Sequence, residues 1–183
     1  MQSLQGQLLV AAGQLSEPTF SQTVVLMLQH NDQGALGVVL NRPVEQTVRS
    51  LWKQVSEAPC EVDFPVNLGG PVSGPLLAVH CQEPLAELEV PCGVYVAATK
   101  DNLERLVQAP EQPFRLFVGH AGWAAGQLEG EIARGMWHLV PATTDLVFGD
   151  HEGLWQHCVR LAGRRFYRDV LNIAGGPEDA SQN

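Results

Sequence analysis

Basic residues are scarce in this chain: 11 Lys and Arg stand against 20 Asp and Glu, a formal net charge of -9 over 183 residues. A surface of that sign repels phosphate backbones at long range, which weighs against general nucleic-acid binding. One local exception is Arg160, Arg164, Arg165 and Arg168, where a helix would carry a small basic face. Cysteine is sparse as well. Cys60, Cys81, Cys92 and Cys158 show no CxxC spacing, which argues against a zinc site or a disulfide framework and for reduced thiols. No apolar stretch reaches the roughly 18 residues of a membrane span, and no basic-then-apolar leader precedes a cleavage site. The expectation is a cytoplasmic protein with no membrane partner.

Signatures of catalysis are missing too. There is no G-x-S-x-G elbow, no Walker lysine, no G-x-G-x-x-G and no HExxH spacing. In "GHAGW" the nucleophile's place is held by Ala121, and Cys81 and Cys92 have no basic neighbour to lower their pKa. His30, His80 and His120 each end an expected strand, where hydrogen bonding to backbone is commoner than metal ligation. No catalytic residue, metal or cofactor is assigned, and the expectation leans away from an enzyme.

What is present is a turn-rich globular composition with Gly 18, Pro 12 and 45% hydrophobic residues. Short apolar runs at 7–12, 23–30, 65–72, 75–81, 93–99, 114–119, 136–141 and 145–148 read as strands. "NDQG" before "ALGVVLN" makes 23–41 a hairpin, with Gly34 free to take positive φ. Val48, Leu51, Trp52 and Val55 fall at helical spacing, and "DNLERLV" (101–107) offers Asp101 as an N-cap. "LWQHCVRLA" (154–162) is a further helix. Strands and helices alternate too irregularly for a doubly wound sheet, so the class is mixed α/β or α+β.

"FVGHAGWAAGQLEGEI" (117–132) is the most informative stretch. Winding a helix from Ala121 puts Ala121, Ala124, Ala125, Leu128 and Ile132 on one face, with Trp123 and Gln127 nearly opposite. The indole is then expected on the side away from the core. Free N–H groups at the helix start would suit an anion near Gly119, His120 and Gly122. Asn41-Arg42-Pro43 and Gly69-Gly70-Pro71-Val72 are two more polar or glycine-rich strand ends. If the three converge they form a groove, whose candidate residues are Asn41, Gly69, Gly70, Gly119, His120, Gly122, Trp123 and Gln127. The opposing reading is that they are structural corners.

Taken together, "SEPTFSQTVVLMLQHNDQGALGVVLNRP" (16–43), "LGGPV" (68–72), "GHAGWAAGQLEGEI" (119–132) and "WHLVPATTDLVF" (137–148) resemble the bacterial AlgH/YqgE family. The resemblance covers about 4–162 and implies an α+β, single compact domain with a bent or branched sheet forming a small barrel, surrounded by helices. Members are often labelled transcriptional regulators, a label of genetic origin, and the resemblance carries over no catalytic residues. Two features depart from it: His120 stands where Tyr is commoner, and the segment from Gly163 runs past the usual end. The expected organisation is a domain over 1–162, an extension at 163–174 that could be helical, and a flexible tail at 175–183. The leading expectation is a non-catalytic binding or regulatory module for an unknown protein or small-ligand partner. Its rivals are a transcriptional regulator, acting on DNA or through a partner, and a hydrolase or transferase without a recognisable motif.

Overall fold

The computed structural model describes residues 2–108 and 112–171, with the side chains of 167–171 left aside, so the tail assigned to 175–183 lies outside the described residues. Its first sheet has five antiparallel strands in the order β10 (Ala121–Ala124), β3 (Gly34–Val39), β2 (Val24–Asn31), β1 (Gln7–Ala11) and β11 (Trp137–Pro141). The second has six, in the order β4 (Pro43–Thr47), β5 (Pro65–Leu68), β9 (Phe114–Val118), β6 (Leu77–His80), β8 (Val94–Ala97) and β7 (Leu88–Val90). Among the described strands only β5 and β9 pair in parallel. Gly34 takes a φ of +137° at the β2–β3 turn, as the hairpin requires.

Period-two alternation gives every long strand two covered faces. Leu8, Val10, Leu26 and Val38 of the first sheet meet Leu77, Val79, Val96 and Phe117 of the second, with Leu154 and Cys158 of α5 (Leu154–Leu171) in the same cluster. Behind the second sheet, Val66, Ala78, Ala97 and Leu116 pack on Val48 and Trp52 of α1 (Val48–Val55) and on Leu103, Leu106 and Val107 of α2 (Lys100–Gln108). Behind the first, Leu9, Val25, Met27, Trp123 and Trp137 pack on Leu128 of α3 (Gln127–Ala133). The mixed α+β single domain therefore holds, but the barrel does not close. The sheets are stacked and joined where β9 runs into β10 and β3 into β4, with β10 and β11 the edges of the first sheet and β4 and β7 those of the second.

Two helix starts correct the sequence reading. Residues 145–148, expected as a strand, lie in α4 (Thr144–Phe148), because the Thr143 side chain accepts from Leu146 N–H and caps it. At the start of α2 the carboxylate that braces the chain is Glu87, while Asp101 lies inside the first turn. Glu87 accepts from the Thr99 hydroxyl, Asn102 Nδ2 and the backbone N–H groups of Ala98 and Thr99. Burial pushes the Glu87 carboxyl up, but these bonds outweigh it and hold it at about 2.

Candidate functional site

The three polar junctions do converge. Val39 N–H donates to Gly69 O, Gly69 N–H to Val118 O and Leu68 N–H to Arg42 O, each at 2.8 Å, while Val72 and His120 exchange a pair of 3.0 Å bonds. Asn41 braces the crossing by accepting from Val24 N–H at 2.9 Å and donating to Gln22 O at 2.8 Å. That second bond holds Gln22 at a φ of +55°, which non-glycine residues rarely adopt. From behind, the buried Arg115 donates to Leu40 O, to Asn67 Oδ1 and to Val147 O. Burial pulls its guanidinium down to about 10, so it stays charged at neutral pH. Arg115 thus fixes the two segments that lead into Arg42 and Leu68.

The glycines here are needed because backbone crosses backbone. A Cβ on Gly69 would stand 2.3 Å from Gly119 O, and one on Gly70 would stand 2.3 Å from His120 C. A Cβ on Gly119, which takes a φ of +71°, would stand 2.7 Å from Gly70 O. These residues are consumed in joining the two sheets, yet the junction does not fill. A cleft of about 750 Å³ opens here, lined by Pro18, Thr19, Val72, Ser73, Gly74, Leu68 and Val118 together with Gly70 and Gly119, with Arg42 in the wall. Leu68 is 45% exposed, Val72 43% and Val118 41%. Leu68 and Val118 are paired across the parallel ladder. They continue the face on which Val66 and Leu116 are covered by helix, but at the strand ends they stay open.

The rest of the candidate set lies in a separate corner. Residues 121–124 are the edge strand β10, so Ala121 and Trp123 point inward and Gly122 and Ala124 outward. Trp123 is therefore a core residue, 6% exposed, and not the surface indole the helical winding gives. Its ring lies 6.2 Å from those of Phe20 and Trp137. Glu131 Oε2 accepts both indole N–H groups, from Trp123 at 2.9 Å and from Trp137 at 2.8 Å, and its Oε1 accepts from Gln127 Nε2 at 2.9 Å. Gln127 Oε1 in turn accepts from Ala124 N–H. Every polar group of this corner named here has a partner, as burial demands.

His30 and His80 behave as the strand-end reading expects, since each Nδ1 accepts a backbone N–H, from Leu4 and from Gln82. That bond leaves the proton of His30 on Nε2, which meets Glu129 Oε1 at 2.9 Å. Among the described residues no three His, Cys, Asp or Glu side chains come together as a metal site. Burial raises the thiols of Cys81 and Cys92 and pushes Cys158 up to about 11, so they are protonated, weak nucleophiles at neutral pH. No described helix is long and apolar enough to cross a membrane.

Of the eight candidates, Gly70 and Gly119 line the cleft, Gly69, Asn41 and His120 build its frame, and Gly122, Trp123 and Gln127 do not reach it. The sequence reading missed Arg42, Leu68 and Val118 as site residues. The signal was present: in "PVNL" and "FRLFV" one apolar row, Val66 with Leu68 and Leu116 with Val118, runs to a strand end at a glycine, so that face needs cover along its whole length.

A family model described as AlgH-like matches residues 8–167. A UPF0301 protein of Chlorobium luteolum is 37% identical over 180 residues, covering 94% of this chain and 91% of its own. The solution structure of the AlgH protein from Pseudomonas aeruginosa superposes with a TM-score of 0.75 at 26% identity, covering 96% of this chain and 97% of the other. The crystal structure of protein DIP2367 from Corynebacterium diphtheriae, at 24% identity and a TM-score of 0.71 over 88% and 87% of the two chains, shares the fold.

Proposed function

This chain belongs to the AlgH-like family, and from that premise we propose that it is a non-catalytic binding module whose site is the cleft at the junction of the two sheets. One observation carries the reading. Five large apolar side chains are markedly exposed among the described residues, and three of them, Leu68, Val72 and Val118, rim this single concavity. Exposed apolar residues scattered singly need no explanation, whereas a concave cluster with a few polar groups has the make-up of a ligand site. The protonated thiols of Cys81, Cys92 and Cys158 support binding over thiol chemistry.

The test is an amide NMR titration with a library of small uncharged fragments. Hits should move the Leu68, Val72, Val118 and Gly119 signals together, and Leu68→Asp should abolish those shifts without changing the melt. Hits spread over the surface, or hits indifferent to Leu68→Asp, would count against the cleft.

Regulation through DNA has one feature in its favour, the exposed Arg160 and Arg164 one turn apart on α5. Against it stands the chain's net charge of -9. We expect no duplex binding tighter than about micromolar at physiological salt, the range of non-specific contacts. A salt-sensitive gel shift at nanomolar protein would overturn that.

A further inference from the structure

The cleft has a charge character unlike the rest of the molecule. The chain carries 20 acids, yet among the described residues not one Asp or Glu lines the cleft, and the one ionised side chain in its wall is Arg42. Glu17, next in sequence to the lining Pro18, is not part of the wall. Arg42 donates to Ser21 O, which fixes the guanidinium in place, and among the described residues no carboxylate pairs with it. A surface arginine in an acid-rich protein would ordinarily find a carboxylate at low cost. Here the fork is held by a neutral carbonyl, its remaining N–H donors unmatched by charge, beside Leu68, Val72 and Val118.

An apolar trough with one anchored cation and no competing anion selects for a particular chemistry. A neutral apolar molecule would gain from the trough but leave the guanidinium unanswered. An ammonium would be repelled. A carboxylate gains a charge-assisted, bidentate contact that only arginine offers in that geometry, while its hydrocarbon body covers the exposed leucine and valines. Resting on the cleft as the binding site, we infer that its ligand is a small aliphatic carboxylate, with the head group on Arg42 and the chain across Leu68, Val72 and Val118. The hydroxyls of Thr19 and Ser73, both in the wall, are further donors for the second oxygen.

The probes are octanoate, octanol and octylamine, which share a chain and differ at the head, titrated into the full chain and followed by amide NMR at neutral pH. Octanoate should shift Leu68, Val72, Val118 and Gly119, bind about tenfold more tightly than octanol, and outcompete octylamine by more, the margin expected of one charge-assisted hydrogen-bonded contact. Arg42→Gln should bring octanoate down to the affinity of octanol. Because Arg42 also holds Ser21 O, a second variant is used: Ser73→Asp puts a carboxylate into the wall at an exposed position and should reject octanoate while octanol binds as before. Equal affinity of octanoate and octanol at the cleft, or octanoate binding indifferent to both variants, overturns the carboxylate assignment and leaves the cleft reading standing. If octanoate fails to move the cleft amides while uncharged fragments do, the assignment again fails alone. If neither moves them, both fail.

Discussion

Within the stretch Gly119 to Ile132, the first residues and the last belong to different kinds of structure. Gly119 and His120 stand at the cleft, where backbone crosses backbone and Leu68, Val72 and Val118 are left open to water. Trp123, Gln127, Leu128 and Glu131 form a corner in which apolar groups are covered and both indole N–H groups reach the same carboxylate. Folding accounts for the corner, since its apolar side chains are buried and its polar groups are hydrogen-bonded to one another. It accounts for the floor of the cleft but not for its rim, because three exposed aliphatic side chains beside an unmatched guanidinium lower no folding free energy. The difference teaches where to look: a glycine-rich motif can be structural while the side chains that flank it carry the surface left for binding.

The largest expected separation between the regions comes from truncating their apolar side chains. Trp123→Ala should cost about 3–5 kcal/mol, as removal of a buried aromatic does. Leu68→Ala at the rim should stay within about 0.5 kcal/mol, the range for exposed positions. Chemical melts of the two variants measure this directly. Equal losses would mean that the rim is covered in solution, and the comparison would collapse.

Next in size is the floor. Gly70→Ala adds a Cβ that would stand 2.3 Å from the backbone of His120, at a φ of +154°. Overpacking of this kind costs about 1–3 kcal/mol or more. The cleft would then prove as rigid beneath as the corner, and soft only at its rim. A Gly70→Ala protein with the parent's melting midpoint would show instead that the sheets can part at this junction.

Glu131→Leu tests the polar side of the corner. It leaves two buried indole N–H groups without an acceptor, at about 1–3 kcal/mol for each left unpaired. Gln127→Ala, at an exposed residue, should cost less than Glu131→Leu in the same melts. If the two variants melt alike, the carboxylate is not what holds the tryptophans.

Much of this was legible in the sequence, and the failures have physical causes. The hairpin over 23–41 and the helix from Val48 follow from turn chemistry and from one clean period each. The stretch after Gly119 concatenates two periods: Ala121 and Trp123 alternate on a strand, and a helix then begins at Gln127, with Gly126 at a φ of +76° between them. Read as one helix, that string yields a plausible apolar face and sends Trp123 to the wrong side. Glu131 could not be identified as the partner of both indoles, because the register that brings Trp123 and Trp137 together is set by β1, β2 and β3 between their strands. Convergence of the three junctions was foreseeable as a possibility; that it leaves Leu68 and Val118 uncovered depends on where the helices behind the second sheet stop.

The smallest effect expected is a difference in acid sensitivity. Glu129, on the same helix as Glu131, has its carboxyl held below the usual range, first by its own backbone N–H and then by His30 Nε2. A carboxyl whose pKa is lowered on folding contributes stability that is present above its unfolded value, near about 4.3, and is lost as pH falls through the lower folded one. Glu129→Gln should therefore narrow its deficit against the parent as pH drops across that window, the two stability curves approaching each other on the acid side. Among the described residues no acid lines the cleft, so Leu68→Ala should run parallel to the parent at every pH. Glu87, held at about 2, gives parent and both variants the same further acid limb and cancels in the comparison. The measurement is a series of chemical melts from neutral pH downward on the parent, Glu129→Gln and Leu68→Ala. A Leu68→Ala curve that converged as the Glu129→Gln curve does would place a titrating carboxylate at the cleft after all, and would remove the acid-free wall on which its ligand preference rests.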